Sequence, residues 1–229
     1  MDHSPQPLIA APPELPPGAA SDVVEDTIEL SGRTVRMLRP RDGDAVLDEL
    51  LAEDDPDEDR LPFWAELWPS GIALARAVIS QPLTGRRVLE LGCGLGLVGV
   101  TAALAGARVL AVDRSPEATA FTASNTARND VGVRTAVSAF DEPGPWLREA
   151  PWDLVLAADV LYEQRNVPVL LWLLPRLVDT TGEVWLADPG RPSLPTFLAG
   201  VDALGWRRDE LPADPGVVTI HRLRPATQP

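Results

Sequence analysis

Val88-Leu89-Glu90-Leu91-Gly92-Cys93-Gly94-Leu95-Gly96-Leu97-Val98-Gly99 decides how the chain is read. Arg87 to Leu91 is a short apolar run that predicts a buried strand. Leu95 to Ala105 carries a helical apolar pattern closed by Gly106. Between them the glycines let the backbone turn tightly and bring amide donors close to a ligand. A glycine pattern is weak evidence alone, but a strand before it and a helix after it are the context a nucleotide loop requires.

Outward from this stretch the pattern alternates. Arg108 to Val112 predicts a second strand stopped by Asp113. Ser115 then caps a helix that has Pro116 at its first position and runs to about Asn129. Strands are expected at 133–138, at Asp153 to Ala157 after the Pro151-Trp152 break, and at Glu183 to Ala187. Helices are expected at Asn166 to Val178 and at 194–203. Trp206 to Leu211 and Val217 to Leu223 read as an antiparallel edge hairpin. Strands separated by helices of this length imply an α/β fold, a mostly parallel sheet with helices on both faces. Ligands then bind at the carboxyl ends of the strands, near the point where strand order reverses. Glu90, Asp113, Asp159 and Asp188 each close or follow an apolar run and should converge there.

Upstream, residues 1–26 are dense in proline and are expected to be a disordered tail, with a single domain over 27–229. Within that domain, 27–80 should cover the cleft and 83–224 should form the core. Thr27 to Pro40 predicts a hairpin turning near Ser31-Gly32, and Asp42 to Glu53 a helix. The acidic run at 54–59 reads as a solvated loop or as the border of a site for a cation. Pro62-Phe63-Trp64-Ala65-Glu66-Leu67-Trp68-Pro69-Ser70-Gly71 holds two tryptophans four apart, ahead of a helix expected from about Ile72 to Ser80. Phe63, Trp64 and Trp68 are either core plugs or the wall of a cofactor cleft.

Composition removes several classes of function. Of the 229 residues 45% are apolar, enough for a substantial core. The 20 basic residues are all arginine, so a phosphate loop ending in Gly-Lys-Ser/Thr is impossible. They face 34 acidic residues, a net charge of −14, which disfavours binding to a nucleic-acid backbone and favours a basic partner. One cysteine, Cys93, excludes an intrachain disulfide and a cysteine metal cluster. No metal constellation is visible, and His3 and His221 make unpersuasive ligands. No run approaches the roughly 20 apolar residues of a membrane span, and no basic start precedes an apolar run, so a cytoplasmic location is expected.

The glycine loop leaves the nucleotide open. Gly94-Leu95-Gly96-Leu97-Val98-Gly99 fits a dinucleotide fingerprint, with Asp113 placed 19 residues beyond Gly94 for a ribose. Against this, Gly92, Gly94 and Gly96 are spaced by single residues, and a carboxylate at Glu90 would repel a pyrophosphate. S-adenosyl-L-methionine carries a sulfonium and an ammonium and no phosphate, and it suits an acidic cleft better.

Glu90-Leu91-Gly92-Cys93-Gly94-Leu95-Gly96 resembles the first motif of the seven-strand, class I methyltransferases. Asp159-Val160-Leu161-Tyr162 is similar to the Asp-x-x-Tyr signature of protein-lysine methyltransferases within that class, and the 62–71 stretch to their aromatic entry segment. Asp188-Pro189-Gly190-Arg191 looks most like the branch that methylates the electron transfer flavoprotein beta subunit. The resemblance implies a Rossmann-like, seven-stranded fold and an S-adenosyl-L-methionine-dependent transfer to a lysine of a protein, with a small-molecule acceptor as the alternative. It implies that Glu90, Gly92, Gly94 and Gly96 cradle the methionine part, Asp113 the ribose, and Phe140 and Asp141 the adenine, with Trp68 closing that side. Asp159 and Tyr162 would face the acceptor, with Trp64 and Arg191 as neighbours. A nicotinamide oxidoreductase and a silent cofactor-binding protein are the rivals from other classes.

Overall fold

The computed structural model describes residues 22–52, 61–212 and 218–226. The acidic run at 54–59 and the proline-rich residues 1–21 lie outside the described residues. Chain order begins with two strands, β1 (Val23–Leu30) and β2 (Arg33–Pro40), then α1 (Gly43–Leu51) and α2 (Pro69–Ile79). The first strand thus starts at Val23, inside the segment expected to be tail up to residue 26. Alternation follows: β3 (Arg87–Leu91), α3 (Leu97–Leu104), β4 (Arg108–Asp113), α4 (Pro116–Arg128), β5 (Val133–Val137), β6 (Leu154–Ala158), α5 (Asn166–Leu177), β7 (Glu183–Asp188), α6 (Leu194–Ala203), β8 (Arg207–Leu211) and β9 (Thr219–Arg224).

The main sheet has seven strands in the order β5-β4-β3-β6-β7-β9-β8. Five of them run parallel, from β5 through β7, and β9 is antiparallel to both β7 and β8. The C-terminal strand is antiparallel as expected but lies one place in from the edge, and β8 is the outermost strand. Strand order reverses between β3 and β6, where diverging crossovers open a crevice at the carboxyl ends. Val88 and its neighbours face a core shared with α2, α3 and α4, whereas Leu89 and Leu91 face a second core built with α5 and α6. Burial on both faces explains why β3, β6 and β7 read as continuous apolar runs.

Helix starts differ from the pattern for a local reason each. Pro69 occupies the first turn of α2, where its missing N–H costs nothing, so that helix begins ahead of Ile72. Gly96 has φ 82, outside helical space, so α3 begins at Leu97 and Leu95 belongs to the loop.

The β1–β2 ribbon turns at Ser31 (φ 49) and Gly32 (φ 77), the left-handed pair of a two-residue hairpin. Asn125 on α4 and Asn129 at the C-cap of that helix act as a substitute strand for the open edge of β2. Asn125 accepts from the Leu38 amide (2.6 Å) and donates to the Leu38 carbonyl (3.0 Å), and Asn129 treats Arg36 in the same way (2.9 and 2.7 Å). The Asn125 amide also donates to the carbonyl of Leu95 (2.9 Å), tying the ribbon to the glycine loop.

Candidate active site

A cleft of about 970 Å³ opens at the carboxyl ends of β3, β4 and β6. All the sequence-predicted site residues except Gly96 line it: Trp64, Trp68, Glu90, Gly92, Gly94, Asp113, Phe140, Asp141, Asp159, Tyr162 and Arg191. Gly96 acts from behind. A Cβ there would sit 2.7 Å from Thr122, so Gly96 lets the loop pack on α4 and turn into α3 without facing the cleft.

Gly92, Gly94 and Gly96 all have positive φ (67, 51 and 82), which L side chains adopt at a cost of about 1–2 kcal/mol each. Asp113, at the end of β4, fixes this loop. Its carboxylate accepts from the Gly94 amide (2.9 Å) on one oxygen and from the Ser115 amide (3.0 Å) on the other. Burial pushes the Asp113 carboxyl up, and those amides oppose the shift.

Glu90 lies in the floor of the cleft, 3% exposed, with its Oε2 lacking any hydrogen-bond partner. Burial pushes its carboxyl from an ordinary 4.5 up to about 8, the Gly99 backbone opposes that, and Asp113 adds to it. Gly99 packs against it, and a Cβ at that position would press on Oε2 and force the carboxylate to shift. Cys93 beside them is buried, with its thiol pushed well up by burial, and the Thr122 hydroxyl donates to its sulfur (3.3 Å). A neutral, enclosed thiol is no nucleophile.

Asp159 follows β6 with φ 56, a conformation uncommon for a residue with a side chain. Its amide donates to the Ala187 carbonyl (2.9 Å) and continues the β6–β7 ladder past the end of β6. Its carboxylate is gripped side-on by Arg191, Nε to Oδ1 at 2.7 Å and Nη2 to Oδ2 at 3.0 Å. Arg191 is aimed by Asp188, whose Oδ1 accepts the amides of both Gly190 and Arg191 (2.7 Å each). The carboxylate partner holds the Arg191 guanidinium above its usual range.

The aromatic segment divides between the two readings left open for it. Trp64 is 9% exposed and its ring packs on Phe121 at 5.3 Å between centroids, so it is a core plug whose backbone shields Gly94. Phe63, 46% exposed, is the ring that meets Tyr162, at 5.4 Å and 57°. Trp68 bridges the two groups. Its Nε1 donates to the Phe63 carbonyl (2.7 Å), and the Arg191 guanidinium lies 5.9 Å from its ring centre. It therefore stands beside the Asp159–Arg191 pair. Tyr162 has its phenol pushed up, chiefly by burial and then by Glu163. Nothing in the spacing of Phe63 and Trp64 distinguishes rim from core, because a single 3₁₀ turn (Phe63–Ala65) has no repeat to read.

Residues 59–194, more than half of the chain, match the family described as lysine methyltransferase. The chain belongs to that family. Among its relatives, the electron transfer flavoprotein beta subunit lysine methyltransferase of Danio rerio is 36% identical over 138 residues, covering 57% of this chain and 51% of the relative. The Homo sapiens protein of the same description is 31% identical over 140 residues, covering 57% and 50%. Ribosomal protein L11 methyltransferase of Synechococcus is 36% identical over 137 residues, covering 57% and 44%. The chain spans about half the length of the curated relatives it matches. Among solved structures, a 16S rRNA N2 G1207 methyltransferase of T. thermophilus superposes with a TM-score of 0.62 at 15% identity, covering 93% of this chain and 52% of the other. A TehB-like methyltransferase of Corynebacterium glutamicum gives 0.56 at 16% identity, covering 67% and 88%. The lysine methyltransferase family member described here thus has the class I methyltransferase fold.

Proposed function

We propose that this chain is an S-adenosyl-L-methionine-dependent N-methyltransferase that transfers a methyl group to a lysine side chain of a protein. The observation that carries this is that one cleft holds both the glycine loop over Glu90 and the Asp159/Tyr162 pair. Family membership supports the lysine acceptor.

The residues fit the cofactor. A buried carboxylate with an orphaned oxygen calls for a cationic partner that brings its own charge. Gly92 and Gly94 keep the loop free of side chains where a ligand must approach. At Gly92 a Cβ would press to 3.2 Å on Val160 and 3.4 Å on Phe140, so the cradle closes on that ring. Glu90, Gly92 and Gly94 would hold the methionine part, Asp113 the ribose, and Phe140 with the exposed Asp141 the adenine. When bound, S-adenosyl-L-methionine supplies an electrophilic methyl on a sulfonium.

The chain's own residues then position the acceptor. Phe63 and Tyr162 form an apolar mouth that sheds water from a lysine stem, and Asp159 and Arg191 form its polar end. Glu66, Asp141 and Glu142 also border the cleft and are exposed, which suits a basic segment of an acceptor protein. The test is transfer of labelled methyl groups to the proteins of a lysate from cells that lack the gene, with mass mapping of the product. Methyl-lysine on a protein is the expected result, and Asp159→Ala should slow it at least tenfold, leaving a measurable rate, while cofactor affinity stays within a few-fold. Label confined to small molecules would overturn the reading.

A further inference from the structure

Asp159 does not face the cleft as a bare carboxylate: both of its oxygens are engaged by Arg191, side-on, at 2.7 and 3.0 Å. Asp159 is 8% exposed, whereas the Arg191 side chain is 33% exposed and lines the cleft. Arg191 is itself held from two sides, by Asp188 through its backbone and by the Trp68 ring across the cleft wall. The pair is therefore built into the site and is no accident of a flexible surface arginine.

This pairing bears on the reaction. A lysine nitrogen attacks with its lone pair, forming the N–C bond while the C–S bond breaks and its electron pair stays on sulfur, so the positive charge passes from sulfur to nitrogen. A nitrogen carrying a third proton has no pair to give. Lysine has a reference pKa of about 10.4, and an unpaired carboxylate beside it would raise that value further. We propose that Arg191 is a positioning residue that keeps the Asp159 carboxylate charge-paired, so that the cleft takes the acceptor lysine as a neutral amine instead of trapping it as an ammonium. This rests on the lysine-methyltransferase reading. The other charged and titratable groups around the position are Asp188 at Arg191, Tyr162, Glu163 and Arg165 on the segment after β6, Asp113 and Arg114 at the end of β4, and Glu66 near the entry turn.

Two measurements test it. The first uses the acceptor protein that takes up label in the lysate experiment, at saturating cofactor and saturating acceptor, and follows kcat against pH, which reports protonation in the bound complex. Arg191→Met should move the rising limb up by about one pH unit or more, a roughly tenfold loss at pH 7.5 that is recovered at higher pH. Arg191→Lys, which keeps a charge on Asp159, should hold the limb near its original position. The double variant Arg191→Met/Asp159→Asn, which has no charge left to trap an ammonium, should bring the limb back. A loss of rate that is uniform across pH, or a double variant that stays shifted, overturns the proposal.

The second needs no turnover. The Trp68 indole N–H resonance is followed while the protein is titrated with 2,2,2-trifluoroethylamine, neutral at pH 7.5, and with ethylammonium, charged at that pH. The unaltered protein should favour the neutral amine, and Arg191→Met should reverse the preference, with the ethylammonium effect weakening in salt. The same preference in both proteins, or binding of neither amine, overturns the proposal. If the unaltered protein methylates no lysine, the functional reading fails, while this titration still decides the charge selectivity of the pair.

Discussion

Glu90→Gln removes the titratable acid that the cleft floor buries without a cationic partner, and its effect can be worked from the structure. The Glu90 carboxyl is 3% exposed and rises from 4.5 to about 8, so between those values the folded protein keeps a proton that the unfolded chain has lost. Stability contributed by the neutral acid is complete below pH 4.5 and is lost as pH rises through about 8. The slope is ~1.4 kcal/mol per pH unit, giving at most ~5 kcal/mol over the whole interval. Glutamine has the same size and does not titrate. Urea denaturation of the cofactor-free protein at pH 5.5, 6.5, 7.5 and 8.5 would separate the two, since every other titrating group is common to both proteins. The stability of Glu90→Gln minus that of the original should grow by roughly 3 kcal/mol from the lowest pH to the highest. Saturating cofactor should flatten the original protein's decline, because a cationic ligand supplies the partner that Oε2 lacks. Parallel pH profiles for the two cofactor-free proteins would refute the reasoning.

Three further outcomes follow from named contacts. Gly96→Ala must hold φ 82 with a Cβ 2.7 Å from Thr122, so thermal unfolding should show a loss of about 2–4 kcal/mol from backbone strain and overpacking together, with weaker cofactor binding by calorimetry. Asn125→Ala orphans the buried backbone of Leu38 and should cost about 2–4 kcal/mol in urea, with faster amide exchange at Leu38 than at β3. Phe63→Ala removes an exposed ring that packs on Tyr162, on what the proposed reading makes the acceptor side, so KM for the acceptor protein should rise several-fold while cofactor affinity and the unfolding midpoint barely move, the Phe63–Tyr162 pair being worth about 0.5–1.5 kcal/mol.

The sheet and the glycine loop were legible because each rests on a local rule. Apolar runs bounded by Asp113 or Gly92 mark strand ends, Ser115-Pro116 marks a helix start, and three glycines at alternate positions mark a left-handed turn. The place of β9 was missed although a signal was there: β8 (RRDEL) is charged and mostly exposed, as an edge strand is, whereas β9 (TIHRLR) buries Ile220 and Leu223. The pairing of Asp159 was not legible. Any of 20 arginines could have reached it, and the choice of Arg191 depends on Asp188 folding its loop back across 32 residues of chain. Gly96 was assigned to the cleft because the motif places its three glycines in one row. The structure separates them, since the left-handed turn at Gly96 carries the chain away from the ligand side and onto Thr122. Which of Phe63 and Trp64 plugs the core and which stands at the rim was not legible, for want of any periodicity across one short turn.

The two carboxylates at the heart of the cleft are handled in opposite ways, and the difference follows from what each would meet. Glu90 is left without a cationic partner and buried, so in the empty cleft it keeps its proton near neutrality and becomes a full charge only when a cation arrives. A sulfonium cation is permanent. On the proposed reading Glu90 meets the methionine part of the cofactor, whose sulfonium does not titrate and whose ammonium gives up no lone pair in the transfer, so an unpaired carboxylate can attract it without harm to the reaction. A lysine is different, because the attraction that brings it in as an ammonium also removes the lone pair the transfer needs. Asp159 is accordingly matched to Arg191 through both oxygens before any acceptor enters. A site for a fixed cation can leave its acid bare, whereas a site for a titratable nucleophile must hold its acid in a closed pair.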